Sequence, residues 1–126
     1  MTTEVFNNII HNQISRCEET LCKKAEEYAT EDRLHNFKQA AALQSCKPTT
    51  ALAGMMCKHT VSVYDMLNGL ENGKKYPVEL WDEKIGDSIN YLLLLSAMVR
   101  EDTEDFSPKS VASVLMEKFK EMNPDV

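Results

Sequence analysis

The chain has 126 residues and a mass of 14.3 kDa, which predicts one domain over residues 1–126, long enough to bury roughly two-thirds of its unfolded surface. Twenty acidic residues against 14 Lys and Arg give a formal charge of −6 and a pI near 5.0. That balance argues against direct binding of nucleic-acid backbone, which needs a basic surface, yet it leaves room for a locally cationic pocket and a small phosphate ligand.

In chain order, Phe6, Ile10, Ile14, Cys17, Leu21, Ala25 and Tyr28 recur at spacings of three and four, predicting a long amphipathic helix from Thr3 to Ala29. The polar segment Thr30–His35 interrupts it. A short helix then runs from Asn36 to Leu43, rich in strong helix formers, with Asn36 as its cap and Phe37 as a core anchor. Lys47-Pro48-Thr49-Thr50 reads as a stop and restart, Pro ending one element and a threonine capping the next. The third helix carries Leu52, Met56, His59, Val63, Met66 and Leu70 on one stripe and closes at Asn72-Gly73. Lys74–Pro77 links it to a fourth helix from Val78 to about Arg100. Ser107-Pro108, a cap followed by Pro at the first helical position, opens a last helix with Val111, Val114, Leu115, Phe119 and Met122 on one face. Asn123–Val126 is expected to fray.

Four to five helices joined by short connections predict an all-α antiparallel bundle. The apolar repeat approaches 3.5 residues, so coiled-coil-like crossings and a self-associating face are expected, and with them a homo-oligomer. Cys17, Cys22, Cys46 and Cys57 show no zinc-type spacing, and Cys17, Cys22 and Cys57 fall in apolar helical patterns as small core residues. No secretory signal pattern is present and no apolar run approaches the roughly 20 residues of a membrane span. Reduced thiols in a cytoplasm are expected, with no membrane partner.

The fourth helix holds the most informative pattern. Trp81, Ile85, Ile89, Leu92, Leu95 and Val99 make a core stripe. Nearly opposite, Glu83, Asp87 and Asn90 line up with Leu94 and Met98. The apolar end of that second stripe calls for cover by protein, which would set two carboxylates and an amide at the mouth of a buried seam, where desolvation is costly without partners. A solvated edge is the plainer reading. On the third helix Lys58, Ser62 and Asp65 share a stripe beside His59, facing Glu83, Lys84, Asp87, Asn90 and Tyr91 on the next. Two cations opposite two carboxylates make either a structural ion-pair network or a pocket where Lys58 and His59 meet phosphate oxygens while Asp87 and Asn90 fix a base or sugar. Lys24 and Tyr28, one turn apart, would lie beside such a pocket, near Arg33, His35 and Asn36. There is no Gly-rich phosphate loop, paired-histidine metal motif or Ser/His/Asp signature.

These residues together, Lys24, Tyr28, Asn36-Phe37 and Ala40, then Lys58-His59, Ser62 and Asp65, then Trp81-x-Glu83-Lys84-x-x-Asp87-x-x-Asn90-Tyr91, resemble small phage and prophage proteins with a nucleotide modification associated domain. The resemblance spans about Lys24 to Met98, and it implies a phage origin and a nucleotide context. More distantly, the third and fourth helices are similar to all-α nucleoside triphosphate pyrophosphatases of the MazG type, which hold Mg²⁺ with an E-E-x-x-E motif on one helix and an E-x-x-D motif on the next. Here the first motif falls on Lys58-His59-Thr60-Val61-Ser62 and the second on Lys84-Ile85-Gly86-Asp87. Only Asp87 keeps its place, with Glu83 one position before the other carboxylate. Mg²⁺ wants several oxygen ligands, so this replacement argues against that chemistry.

The expectation is therefore a MazG-like helical protein, cytoplasmic in a bacterial host, that binds a nucleotide or nucleotide-derived molecule without hydrolysis and without a cofactor. Sequestering a host immune nucleotide signal is one use. The expected ligand-binding residues are Lys24, Tyr28, Asn36, Lys58, His59, Ser62, Lys84, Asp87, Asn90 and Tyr91. A Mg²⁺-dependent nucleotide pyrophosphohydrolase using Asp65, Glu83 and Asp87 is the enzymatic alternative, and a protein inhibitor of a host defence complex is the third reading.

Overall fold

The ends of the helices are set by local backbone chemistry, and three of them differ from the sequence expectation. In the computed structural model, which describes residues 1–23, 32–103 and 108–125, the chain is all-α, with α1 (Thr3–Glu18), α2 (His35–Gln44), α3 (Pro48–Glu71), α4 (Val78–Asp102) and α5 (Pro108–Met122). Among the described residues there is no strand, and no helix is long and apolar enough to cross a membrane. Thr2 caps α1 by accepting the Val5 N–H at 3.2 Å. The α geometry gives way after Glu18 to a π-helical turn over Glu19–Lys23, and the rest of the expected helix, up to Ala29, lies outside the described residues. The Leu21 carbonyl in that turn accepts from the Arg33 guanidinium, a partner from the start of α2 that no helical repeat foretells.

Asn36 does not cap α2. The helix starts at His35 with Leu34 at its N-cap and no side-chain cap bond, and Asp32 braces the turn before it, its Oδ1 accepting the Leu34 N–H at 3.0 Å and its carbonyl accepting the His35 N–H at 3.1 Å. Nor does a threonine cap α3. Pro48 opens that helix, since its fixed φ and missing N–H suit the first position, and Thr49 and Thr50 lie within the first turn. The far end of α3 closes as expected: Gly73 takes a positive φ of 80°, its N–H bonds the Leu70 carbonyl, and the Lys74 N–H reaches back to Gly69 at 2.9 Å. α2 ends the same way on Ser45 at φ 53°, with the Cys46 N–H on the Ala41 carbonyl at 3.0 Å. Ser107, the expected cap of α5, lies outside the described residues.

α3 and α4 pack antiparallel along most of their length. Leu34, Phe37, Leu52 and Met98 form the core cluster, with Met55, Tyr91, Leu94 and Leu95 packed around it. Leu52 has no exposed surface at all. At the opposite end the Tyr76 ring lies on Gly69, where any Cβ would sit 1.9 Å from its hydroxyl, and Tyr76 meets Trp81 edge to face at 5.9 Å.

The stripes of α4 divide differently from the sequence expectation. Met98 and Leu94, on the half-polar stripe, enter or pack on the core together with Leu95 of the fully apolar one, whereas Ile85, Leu92 and Val99 of that stripe are 39, 55 and 46 % exposed. α2 and α3 approach α4 from the Met98 side, which leaves the outer edge of the apolar stripe open. On α1 just Cys17 is buried, while Phe6, Ile10 and Ile14 are exposed; Cys22 and Cys57 are exposed too, not core thiols.

One ion-pair bridge joins the start of α2 to the end of α4. Lys38 Nζ contacts Asp32 Oδ2 at 2.6 Å and Glu101 Oε1 at 2.5 Å. The hydrogen bond from Lys38, then that from the Leu34 N–H, holds the Asp32 carboxyl below the usual carboxylate range. Asp32 and then Glu101 push the Lys38 ammonium above its ordinary value. The lowered acid contributes stability above the ordinary carboxylate pKa that is lost as pH falls through the lowered one. The raised base contributes stability below about pH 10 that is lost as pH rises further. Lys38→Met is therefore expected to lower the melting temperature at neutral pH, and the gap from wild type should close below about pH 4. Ser45→Gly should stabilise by about 0.5–1 kcal/mol, and Gly69→Ala should destabilise by about 1–3 kcal/mol, both read by denaturant unfolding.

Candidate functional site

Between its two apolar ends the α3–α4 seam contains a polar layer. His59 lies one turn beyond Met55 on α3, and its Nδ1 faces Asp87 Oδ2 of α4 at 3.5 Å. Its ring stacks on Tyr91 at 4.8 Å and 31°, and Tyr91 meets Phe37 edge to face at 6.4 Å. Tyr91 thus joins the polar layer to the hydrophobic core. The next position on α4, Asn90, carries a buried Oδ1 with no hydrogen-bond partner among the described residues. A buried acceptor left unpaired costs about 1–3 kcal/mol.

Asn90 and Asp87 form one wall of an open groove of about 490 Å³ between α4 and α1, within the size range of small-ligand sites. The opposite wall comes from α1 and the π turn: Gln13, Arg16, Cys17, Glu19 and Thr20. What brings the walls together is Gly86. It is buried, and a Cβ there would lie 2.9 Å from Gln13 Nε2. Gln13 donates to the Asp82 carbonyl at 3.3 Å, and Arg16 pairs with the Asp82 carboxylate at 3.0 Å. That pair is half exposed and worth under about 1 kcal/mol, so α1 is lightly held.

The electrostatics differ from expectation. Among the described residues, Glu19, Glu79, Asp82, Glu83 and Asp87 line the groove, against the guanidinium of Arg16. Lys58 is exposed on α3 and outside the groove, and Lys84 sits beside Glu83 at 3.9 Å without lining it. His59, by contrast, faces the Asp87 carboxylate, as the sequence pattern predicts. The cation pair envisaged for phosphate capture is therefore not assembled: residues 58 and 59 are adjacent in sequence, so the helix turns their side chains about 100° apart.

The remaining expected residues are dispersed. The Ser62 hydroxyl donates to the Lys58 carbonyl of its own helix at 3.0 Å. Asn36 is exposed on α2, and Lys24 and Tyr28 lie outside the described residues. Asp65 is exposed and does not join Glu83 and Asp87 in the groove. Among the described residues no three of His, Cys, Asp and Glu are grouped closely enough to hold a metal ion. The α1 wall went unrecognised from sequence, though one signal pointed to it: Gly86, a glycine within a strong helix, marks close approach of another element.

Gly86→Leu should push α1 off α4 while leaving α3 packed. Hydrogen exchange is expected to rise about ten-fold or more in α1 with the core amides unchanged. Gly86→Ala should do far less, since only the end of the Gln13 side chain must move.

The chain matches no family model, no curated protein and no solved structure, so the groove is interpreted from its own chemistry.

Proposed function

We propose that this protein binds a nucleotide-type small molecule in the groove between α1 and α4 and holds it without hydrolysis. The observation that carries the reading is the buried, unpaired Asn90 Oδ1 at a groove of ligand size. An amide oxygen in that position wants an N–H donor, which the exocyclic amine of a nucleobase supplies in a planar, apolar frame. Glu83 and Asp87 beside it accept from further ring or sugar donors. Five carboxylates repel bare phosphate, so the amino-bearing nucleoside portion is the part the groove holds. Sequestering a nucleotide signal of the host's defences, in a phage setting, is a use that holding without turnover would serve.

The same five carboxylates are the specific feature favouring a second reading, a Mg²⁺-dependent pyrophosphohydrolase. As they stand they are spread along the groove and form no cluster of three, which supports binding as the first reading.

Asn90→Leu separates site from scaffold. It removes an unpaired buried acceptor, so thermal stability should rise, while affinity for an amino-bearing nucleoside or nucleotide should fall by about ten-fold or more. Calorimetry over a panel of nucleosides and nucleotides, with and without Mg²⁺, reads the second effect. Rapid Mg²⁺-dependent release of pyrophosphate would establish the enzyme instead. Absence of binding under every condition would leave a protein partner as the better reading.

A further inference from the structure

We infer that His59 is the positioning residue of the groove: it holds the Asp87 carboxylate in one orientation, so that the groove meets the donors of a nucleoside with an acceptor already in place. This rests on the reading of the groove as a nucleoside site. Among the described residues that line the groove none comes from α3. Yet α3 supplies the group that faces Asp87, since His59 Nδ1 lies 3.5 Å from its Oδ2. Asp87 thus belongs both to the α3–α4 seam and to the groove. The sequence spacing explains why. His59 lies one turn beyond Met55 and Asp87 one turn before Tyr91, so the antiparallel packing that seats Met55 and Tyr91 on the core also brings the two polar side chains level.

Three of the other lining carboxylates are held differently. Glu19 pairs with Lys23 at 3.5 Å, Asp82 with Arg16 at 3.0 Å and Glu83 with Lys84 at 3.9 Å. Each of those cations ends a long side chain whose ordering carries a high rotamer-entropy cost, so such a pair fixes orientation weakly. His59 turns about two side-chain bonds only, and its surroundings restrain both. Its ring stacks on Tyr91 at 4.8 Å and 31°, and Tyr91 meets the buried Phe37 edge to face at 6.4 Å. The His59 side chain is itself only 17 % exposed. The line from Phe37 through Tyr91 and His59 to Asp87 therefore carries the rigidity of the packed core to a carboxylate on the groove. An acceptor fixed before the ligand arrives need not be ordered on binding, which raises affinity for a correctly placed N–H or O–H donor.

Calorimetry with adenosine and with cytidine tests this through a cycle of His59→Leu, Asp87→Ala and the double variant. Each single change is expected to weaken binding by about ten-fold, and the double variant no more than either one alone, because His59 acts through Asp87. Losses that multiply to about a hundred-fold would overturn the inference, since a residue that merely supports the fold acts independently of Asp87. His59→Leu binding like wild type would overturn it too. His59→Asn, which returns an N–H close to the place of Nδ1, is expected to recover most of the lost affinity, and a loss equal to that of His59→Leu counts against the inference.

A measurement without ligand keeps the two readings apart. In the wild-type protein the two α–β proton couplings of Asp87 by NMR are expected to be unequal, as in a single rotamer of a helical residue. They should converge in His59→Leu, as rotamers average, and separate again in His59→Asn. Averaged couplings in wild type, or couplings unchanged in His59→Leu, overturn the inference whether or not a nucleoside binds. Unequal couplings that collapse in His59→Leu, with neither nucleoside binding the wild type, sustain the role of His59 and overturn the reading of the groove as a nucleoside site.

Discussion

The antiparallel packing of α3 on α4 is the constraint on which the rest depends. It buries Leu52 against Leu34, Phe37 and Met98 at one end and lets Tyr76 lie on Gly69 at the other. With both ends fixed by apolar contact, whatever lies between is carried into the seam whether or not it is apolar. His59, Asp87 and Asn90 enter in this way. Full burial of one large aliphatic side chain is worth about 1.5–3 kcal/mol, enough to outweigh one unpaired amide oxygen. The scaffold therefore tolerates a polar group that it does not itself satisfy.

That tolerance gives the groove its chemical character. Asn90 carries a buried acceptor, carboxylates line the groove beside it, and Arg16, the cation that the described residues bring to the groove, is engaged with Asp82. Acceptors outnumber donors among the described lining residues, and under the proposed function this favours a molecule rich in N–H and O–H groups, such as a nucleobase with an exocyclic amine, over an array of phosphate oxygens. The π turn at Glu19–Lys23 contributes to the same end, placing Glu19 and Thr20 on the groove.

The fold is unevenly stabilised. α2, α3 and the second half of α4 share one core, and the Lys38 bridge to Asp32 and Glu101 ties their ends together. α1 contributes one buried residue, Cys17, and otherwise rests on polar contacts. Elements held mainly by solvent-exposed contacts open most readily. The groove thus has one rigid wall on α4 and one compliant wall on α1, and anything that seats α1 acts on the site.

Several features are determined by the sequence alone. Apolar spacing defines α3 and α4 as long helices, and Asn72-Gly73 ends α3, because only a residue tolerant of positive φ closes a helix in that motif. The charge and amide pattern of Glu83, Asp87 and Asn90 marks the sensitive stretch of α4. Tertiary structure decided the rest. Which stripe of α4 faces inward depends on where α2 and α3 approach, and both stripes are apolar enough to serve. Whether Lys58 joins His59 depends on rotation about the axis of α3, which periodicity leaves open by one residue. The departure of α1 from α geometry coincides with the Arg33 contact to Leu21, a bond across twelve residues that is invisible to a local pattern. The sign of the groove's charge follows as well, since Glu19, Glu79 and Asp82 reach it from segments far apart in the chain.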